Sequence, residues 1–268
     1  MVSRLVQALE RRLNVRLLHR TTQRVAVTEA GRTFYERCNS ILAELAEAEA
    51  QASNDATTQS GTLRINAPVS FGSAVLAPAL VEFSRRFSKV SLDVVLCDRR
   101  TDFFEGCDVA LRVGALSPSS LVARSLGKVR MLACAAPRYL ESHGIPACPE
   151  DLRQHVCLNA MDDCGTMRDA WTFQRDRESV EIPVRGTLRT NNTELLRQAA
   201  RLGLGVTLQP MYLVSGDLLD GALVRILEGW DAGSLPINAL YQNKHHLPAR
   251  SRCFIEFLIE HFNRNPAD

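Results

Sequence analysis

The sequence contains no run of apolar residues long enough to span a bilayer, and its opening residues do not read as a secretory signal. Membrane insertion and export are therefore not expected, and a reducing cytoplasm is the expected compartment. Cys-x-x-Cys is absent, and the six histidines are not spaced with cysteines as zinc ligands. There is also no Gly-x-Ser-x-Gly elbow, no phosphate loop, no paired-carboxylate signal and no Ser/His/Asp spacing. These absences argue against an enzyme, a metal centre and a bound cofactor, and none of the three is expected. The adjacent His245 and His246 read as a surface turn before Pro248.

Eight cysteines are present, but several sit in apolar stretches, such as Cys97 after Val94-Val95-Leu96 and Cys134 after Met131-Leu132-Ala133. A free cysteine there behaves as a small hydrophobe. At 268 residues and 46% hydrophobic content, the chain is long enough for two or three units with packed cores. The net charge of +2 conceals an asymmetry. Residues 1–40 hold eight arginines and three acids, whereas the remainder holds 24 basic and 27 acidic residues. A basic head on a mildly acidic body suits a polyanion at one end. A solvated basic helix face accounts for the charge equally well.

Apolar residues at 2, 5, 6, 9 and 13 follow a 3.6-residue period, so Val2 to Leu13 is expected to be an amphipathic helix. Its other face carries Ser3, Arg4, Gln7 and Arg11, residue types that reach phosphates and base edges. Asn14 stands where a helix often ends in the left-handed conformation. From Val15 to Thr28 an apolar run, a basic polar tip and an alternating run predict a β-hairpin wing.

The pattern Val-Ser-Arg-x-x-x-x-Leu-Glu-x-x-Leu-x-Val-x-Leu-Leu-x-Arg over 2–20, followed by Val27-Thr28-Glu29-Ala30-Gly31, resembles the LysR-type transcriptional regulators. The resemblance implies that Val2–Leu13 is the recognition helix of a winged helix-turn-helix. It further implies that the two helices which brace this helix in the family would lie upstream of Met1, so either the start is mis-assigned or the reading head is shortened. Ser3 and Gln7 would then approach bases, while Arg4, Arg20, Thr22 and Arg24 hold phosphates. Asn14 and Ser88-Lys89 depart from the family, which has Gly and Pro at these places.

Thr28 is expected to cap a long helix reaching about residue 56. Phe34, Cys38, Ile41, Leu45, Ala48 and Ala52 are spaced 4, 3, 4, 3, 4 along it, a heptad seam that asks for a partner helix. Packing on its own body is the alternative. The family joins subunits through this helix, which implies a homodimer or a tetramer with Phe34, Cys38, Ile41, Leu45 and Ala48 at the contact. Residues 53–61 are polar and aperiodic, and read as a hinge.

From Thr62 onward, strands alternate with helices, which predicts a mostly parallel sheet between helices. The expected fold is therefore α/β. A partial winged helix-turn-helix (1–27) and a linker and dimerisation helix with its hinge (28–60) precede a two-lobed effector-binding domain (61–268). Lobe I is expected over 61–134 and 240–268, and lobe II over 135–239. The resemblance extends to this part, through Ala67-Pro68-Val69-Ser70-Phe71-Gly72, Asp108-Val109-Ala110-Leu111-Arg112-Val113-Gly114 and Gly203-Leu204-Gly205-Val206, and implies a fold like type II periplasmic solute-binding proteins.

Ligands of open α/β sheets bind beyond the carboxyl ends of strands, where helix N-termini expose N–H groups. Two such ends stand out. One is Val69-Ser70-Phe71-Gly72, and the other is Asn191-Asn192-Thr193, where Asn191 and Glu194 have capping-box spacing. Ordinary helix caps explain either stretch alone. Lying in opposite lobes, together they predict a clamp for a small organic anion such as a carboxylate. Arg100 and Thr101, with Arg112, Val113 and Gly114, are further lining candidates, and Phe71, Trp171 and Phe173 could form an apolar wall. Peroxide-sensing members of the family use two cysteines in lobe II, which makes Cys157 and Cys164 a possible redox pair against the plainer reading of unpaired structural thiols.

The expected function is DNA-binding transcriptional regulation under the control of a small effector. The alternatives are a shortened relative that binds ligand and dimerises without binding DNA specifically, and a free solute-binding protein, which would need export.

Overall fold

The computed structural model describes residues 2–20, 25–52, 60–98, 107–116, 121–161, 169–242 and 247–266. The chain divides into two compact units, Met1–Thr58 and Gln59–Asp268.

The first unit is a helix, a hairpin and a second helix. Helix α1 spans Val2–Leu13 and places Arg11 and Arg12 in its last turn, where they oppose the helix dipole. It ends at Asn14, whose φ of 52° is the left-handed conformation expected of it. Strands β1 (Leu18–Arg20) and β2 (Val25–Val27) pair antiparallel, with His19 opposite Ala26. Helix α2 follows over Glu29–Ala52.

Three side-chain features fasten these pieces. Glu10 Oε1 accepts hydrogen bonds from the backbone N–H groups of Leu17 at 2.8 Å and Leu18 at 3.0 Å, which ties the entry of the wing to α1. Thr28 Oγ1 accepts from the Gly31 N–H at 2.9 Å, as an N-cap does, and donates to the Arg16 carbonyl at 2.7 Å. Gly31 is needed for close approach, because a Cβ there would lie 2.1 Å from the Leu17 carbonyl oxygen. Most of the expected hinge, residues 53–59, lies outside the described residues.

The second unit begins with β3 (Gly61–Ala67). The helix that follows starts as α3 (Val69–Phe71), loosens into a π-helical stretch over Gly72–Leu76 and continues as α4 (Ala77–Arg86). Next come β4 (Val90–Leu96), β5 (Val109–Val113), the long β6 (Leu121–Ala135), α5 (Pro137–His143) and a 3-10 turn over Pro149–Gln154. Then follow β7 (Cys157–Ala160), β8 (Ala170–Arg175), β9 (Glu178–Pro183), β10 (Arg189–Thr190) and α6 (Thr193–Arg201). The chain closes with β11 (Val206–Pro210), α7 (Met211–Leu219), β12 (Val224–Arg225), β13 (Ser234–Gln242) and α8 (Ala249–Arg264).

One mixed sheet runs in the order β10-β7-β11-β6-β13-β5-β3-β4, with β12 beside β6. Strands β6 and β13 join its two halves. Residues 121–130 of β6 pair with β13, which also pairs with β5, whereas Met131–Cys134 pair with β11. The β6–β13 ladder is irregular at Ile237/Asn238. The half formed by β3, β4 and β5 packs Leu63, Ile65 and Leu111 against Phe71 and Phe83 and against Phe254 and Phe257 of α8. The other half has apolar clusters on both faces. One contains Trp171, Phe173, Ile182 and Trp230, and the other Leu158, Leu196, Ala200 and Val214.

Two differences from the sequence reading have local causes. Helix α7 was not expected, because Met211, Tyr212, Leu213, Val214, Leu218 and Leu219 leave little polar face to reveal a period. The expected cap at Asn191 is a correction. Asn192 is the N-cap of α6, its Oδ1 accepting from the Leu195 N–H at 2.8 Å. Glu194 does not reach back to complete a box, because its Oε1 accepts from Arg197 and Gln198, each at 2.8 Å.

Helices α6 and α7 are joined by a charged fork. Arg197 donates to both carboxylate oxygens of Asp217, at 2.5 and 2.8 Å, and Arg201 lies 3.3 Å from the same carboxylate. The Asp217 side chain is only 1% exposed, and its hydrogen bond raises the pKa of the Arg197 guanidinium. Asp217→Ala leaves this cation without its main partner. Removing one member of a fully buried ion pair costs about 3–5 kcal/mol; because Arg197 is partly exposed and keeps Glu194 at 2.8 Å, urea unfolding of the variant should show a loss at or below the low end of that range. A change within experimental error would mean that solvent replaces the pair.

Candidate functional site

The candidate site follows from strand register. Strands β3 and β4 are parallel and paired one-to-one, from Gly61↔Val90 to Ala67↔Leu96. The pairing continues one step further, with the Cys97 N–H donating to the Ala67 carbonyl at 2.9 Å. The next residues out, Val69 and Asp98, therefore lie side by side at the carboxyl ends of the two strands. Asp98 Oδ1 accepts from the Val69 N–H at 2.9 Å, satisfying a donor at the start of a helix.

In the other half of the sheet, β7, β10 and β11 run parallel, and the turn after β10 leads into α6. There the Asn192 Nδ2 donates to Asp98 Oδ2 at 3.0 Å. Beside this contact, Thr193 Oγ1 donates to Ser70 Oγ at 3.0 Å, and Ser70 Oγ lies 3.3 Å from the Tyr212 hydroxyl in the first turn of α7. Two helix starts from opposite halves of the sheet thus meet directly. Tyr212 is half-buried, and burial pushes its phenol pKa up, with the Asp98 charge adding to the shift. Its ring stands edge-on to Phe71, with centroids 6.0 Å apart.

Of the residues expected in the cleft, Val69, Ser70, Asn192 and Thr193 come together here. Asn191 is exposed beside them. Phe71 is fully buried in the core behind the contact, so it does not form an open wall. Gly72 lies under Leu96, where a Cβ would come within 2.3 Å of a methyl group of that exposed side chain. Trp171 and Phe173 likewise belong to a buried core. Arg112 is 6% exposed and donates to Asn66 Oδ1 at 2.9 Å and to the Leu111 carbonyl. Val113 packs on the core, and the Gly114 N–H donates to the Pro236 carbonyl at 2.8 Å.

Arg100 and Thr101 lie outside the described residues. Cys157 is buried, and burial raises its thiol pKa to about 12; Cys164 is outside the described residues. Two members of the contact were not singled out from sequence. Asp98 carries no motif of its own, and Tyr212 falls in the helix that was not expected. The position of Asp98 at the carboxyl end of β4 was the available signal.

The first unit holds the residues expected to meet DNA. Gln7 is exposed on α1, and Ser3 and Arg4 lie on the same helix, their side chains outside the described set. Arg20 is in β1 with its side chain likewise undescribed, and Thr22 and Arg24 are outside the described residues. On α2, Ile41 and Leu45 are 62% and 53% exposed, Phe34 and Cys38 are half-buried, and the side chain of Ala48 is not described. Among the described residues, no helix is long and apolar enough to cross a membrane, and no group of three or more acids, cysteines or histidines could hold a metal ion.

Residues 1–32 match the bacterial regulatory helix-turn-helix protein family of the lysR type, and residues 56–263 match the LysR substrate binding domain. An HTH-type transcriptional regulator of Xanthomonas campestris pv. campestris (strain 8004) is 36% identical over 265 residues, covering 98% of this chain and 77% of that one. The solved full-length structure of the Vibrio cholerae virulence activator AphB is 32% identical, with a TM-score of 0.66, over 97% of this chain and 88% of that one. CrgA, a LysR-type transcriptional regulator from Neisseria meningitidis, is 31% identical with the same TM-score, over 97% and 88%. An exposed basic helix with its wing, followed by an α/β body whose halves meet at two helix starts, is thus found where both family models match, and the chain belongs to the LysR-type transcriptional regulators.

Proposed function

We propose that this transcriptional regulator responds to a small organic acid bound between the two halves of its α/β body. The observation that carries the reading is chemical. The Val69 N–H and the Asn192 amide, one from each half, already hold a carboxylate group, that of Asp98. Hydroxyls of Ser70 and Thr193 adjoin them. A ligand carboxylate presented to these donors would find the same charge-assisted hydrogen bonds. Arg100, Thr101, Arg112, Val113 and Gly114 are the further candidates to border the ligand. In this reading residues 61–268 form the effector-binding domain, and the protein works in the cytoplasm, where its DNA is.

The first unit supplies the output. Ser3 and Gln7 approach base edges, and Arg4, Arg20, Thr22 and Arg24 hold phosphates, which fix register without specifying sequence. Dimerisation through α2 sets two such helices at one site. The apolar Ile41 and Leu45, exposed at i and i+4 on α2, support it.

Three measurements test these assignments. A thermal-shift screen of matched acids, amides and esters should show stabilisation by the acids alone. At a hundredfold excess over Kd, binding adds about 2.7 kcal/mol. Stabilisation that ignores the carboxylate would sink the organic-acid reading.

Glu10 provides a test of the DNA head. It is an acid on a helix that faces a polyanion, so if only its charge mattered, both Glu10→Gln and Glu10→Ala would strengthen DNA binding. If its hydrogen bonds to Leu17 and Leu18 position the wing, Glu10→Ala should weaken binding to duplexes enriched by the wild-type chain from a random pool. Glu10→Gln, which keeps the Oε1 acceptor, should bind at least as tightly as wild type. Tighter binding by the alanine variant would remove the positioning role.

Finally, replacing both Ile41 and Leu45 with Glu should lower the mass measured by light scattering. An unchanged oligomer would take α2 out of the subunit contact.

A further inference from the structure

The hydrogen bonds around Asp98 do more than cap a helix. A cap at Val69 needs one acceptor, and Asp98 Oδ1 supplies it. The second oxygen accepts from Asn192, a residue 94 positions away in the other half of the sheet. Asn192 is itself held at both ends of its amide, since Oδ1 caps α6 at the Leu195 N–H while Nδ2 reaches Asp98. Turning that amide over would break both bonds at once. With Thr193 to Ser70 and Ser70 to Tyr212 alongside, three polar links join the two halves at one point.

The backbone passes between the halves along β6 and β13, whose ladder carries an irregularity at Ile237/Asn238. Gly127 and Gly233, on or next to these strands, adopt positive φ values of 142° and 80°. Two adjacent crossings with local irregularities resemble the hinges of two-domain proteins, in which a few residues absorb the rotation.

We propose that Asp98 is an internal latch, a carboxylate that holds the two halves of the α/β body together by bridging the start of α3 to the cap of α6. The latch stands on these contacts and not on the identity of any effector. A negative screen with organic acids would remove the effector class proposed above and leave the latch intact.

Hydrogen–deuterium exchange on the full ligand-free chain tests it, because the two ends of the latch report separately. In Asp98→Ala, the Val69 amide loses its acceptor, and the Leu195 amide loses the partner that steadies its cap. Exchange at both should rise by about tenfold or more, and the radius of gyration from small-angle scattering should increase. If only Val69 is affected and the dimensions are unchanged, Asp98 is a local cap and the proposal is overturned.

Asp98→Asn separates the two ends more gently. Its side-chain oxygen still accepts from Val69, but its amide nitrogen meets the Asn192 amide nitrogen, donor against donor. Leu195 should then exchange faster while Val69 keeps its protection; unchanged exchange at Leu195 would overturn the latch. Thr193→Val, which removes a neighbouring link and leaves both carboxylate contacts in place, should produce a smaller increase at Leu195 than either Asp98 variant. An increase as large as that of Asp98→Ala would assign the latch to Thr193 and Ser70 instead.

Discussion

The seven-residue parallel ladder between β3 and β4 is the constraint on which the cleft depends. Parallel strands cannot be joined by a tight turn and need a crossover, supplied here by the helix from Val69 to Arg86. The one-to-one register places the start of that helix level with the residue that follows β4. A slip of one residue would turn each β4 side chain to the opposite face. It would remove Leu96 from the space left by Gly72 and Asp98 from the Val69 N–H together. The packing of Leu96 over Gly72 and the polar contact of Asp98 are therefore set by the same register.

On the other side of the contact, the order of constraint is different. Strand β10 is only two residues long and lies at the edge of the sheet, so it is not the ladder that fixes α6. The helix is held from behind by the Arg197–Asp217 fork to α7 and by Leu196 and Ala200 in the core. Its capping residue is fixed by two bonds that point in opposite directions, to Leu195 and to Asp98. Tyr212, on α7, then ties the helix at the far end of the fork to Ser70. Displacing the cap of α6 is thus coupled to the position of α7, and through it to β6 and β11, on which α7 packs.

Much of this was legible in the sequence where a local pattern determines a local structure. The period of Val2–Leu13, the turn at Asn14 and the cap at Thr28 depend on residues within a few positions of one another, and each is found as read. The alternation of strands and helices gave the α/β class for the same reason. The cap of α6 was misplaced by one residue because Asn191 and Asn192 are equally good candidates, and the choice was made by where Glu194 finds partners. Aromatic residues were harder to read. Phe71, Trp171 and Phe173 look alike as core or as cleft wall until the sheet is assembled, and assembly buries all three. Asp98 has only its place at the carboxyl end of β4 to mark it in the sequence, because its partners, Val69 and Asn192, lie 29 and 94 residues away and meet it only through the folded sheet.

The energetics of the contact bear on how a regulator of this kind can be poised. A hydrogen bond contributes about 0.5–1.5 kcal/mol net, and one to a charged group about 1.5–3 kcal/mol. The one bond that crosses to the Asp98 carboxylate, from Asn192, and the two neighbouring hydroxyl links therefore amount to a few kcal/mol before the strain of closure is subtracted. Moving a two-state equilibrium from one form almost wholly to the other requires a differential affinity of about 5.5 kcal/mol. The internal contact and the work asked of an effector are of the same order. An external acid that takes over the donors of Asp98 replaces bonds of the same kind, so the exchange itself is close to balanced. What then decides the population is the part of the ligand that Asp98 does not imitate, namely its apolar body and its fit between the halves. If the effector is an organic acid, selectivity in such a cleft resides beyond its carboxylate, whose entry and the release of Asp98 would be a single event.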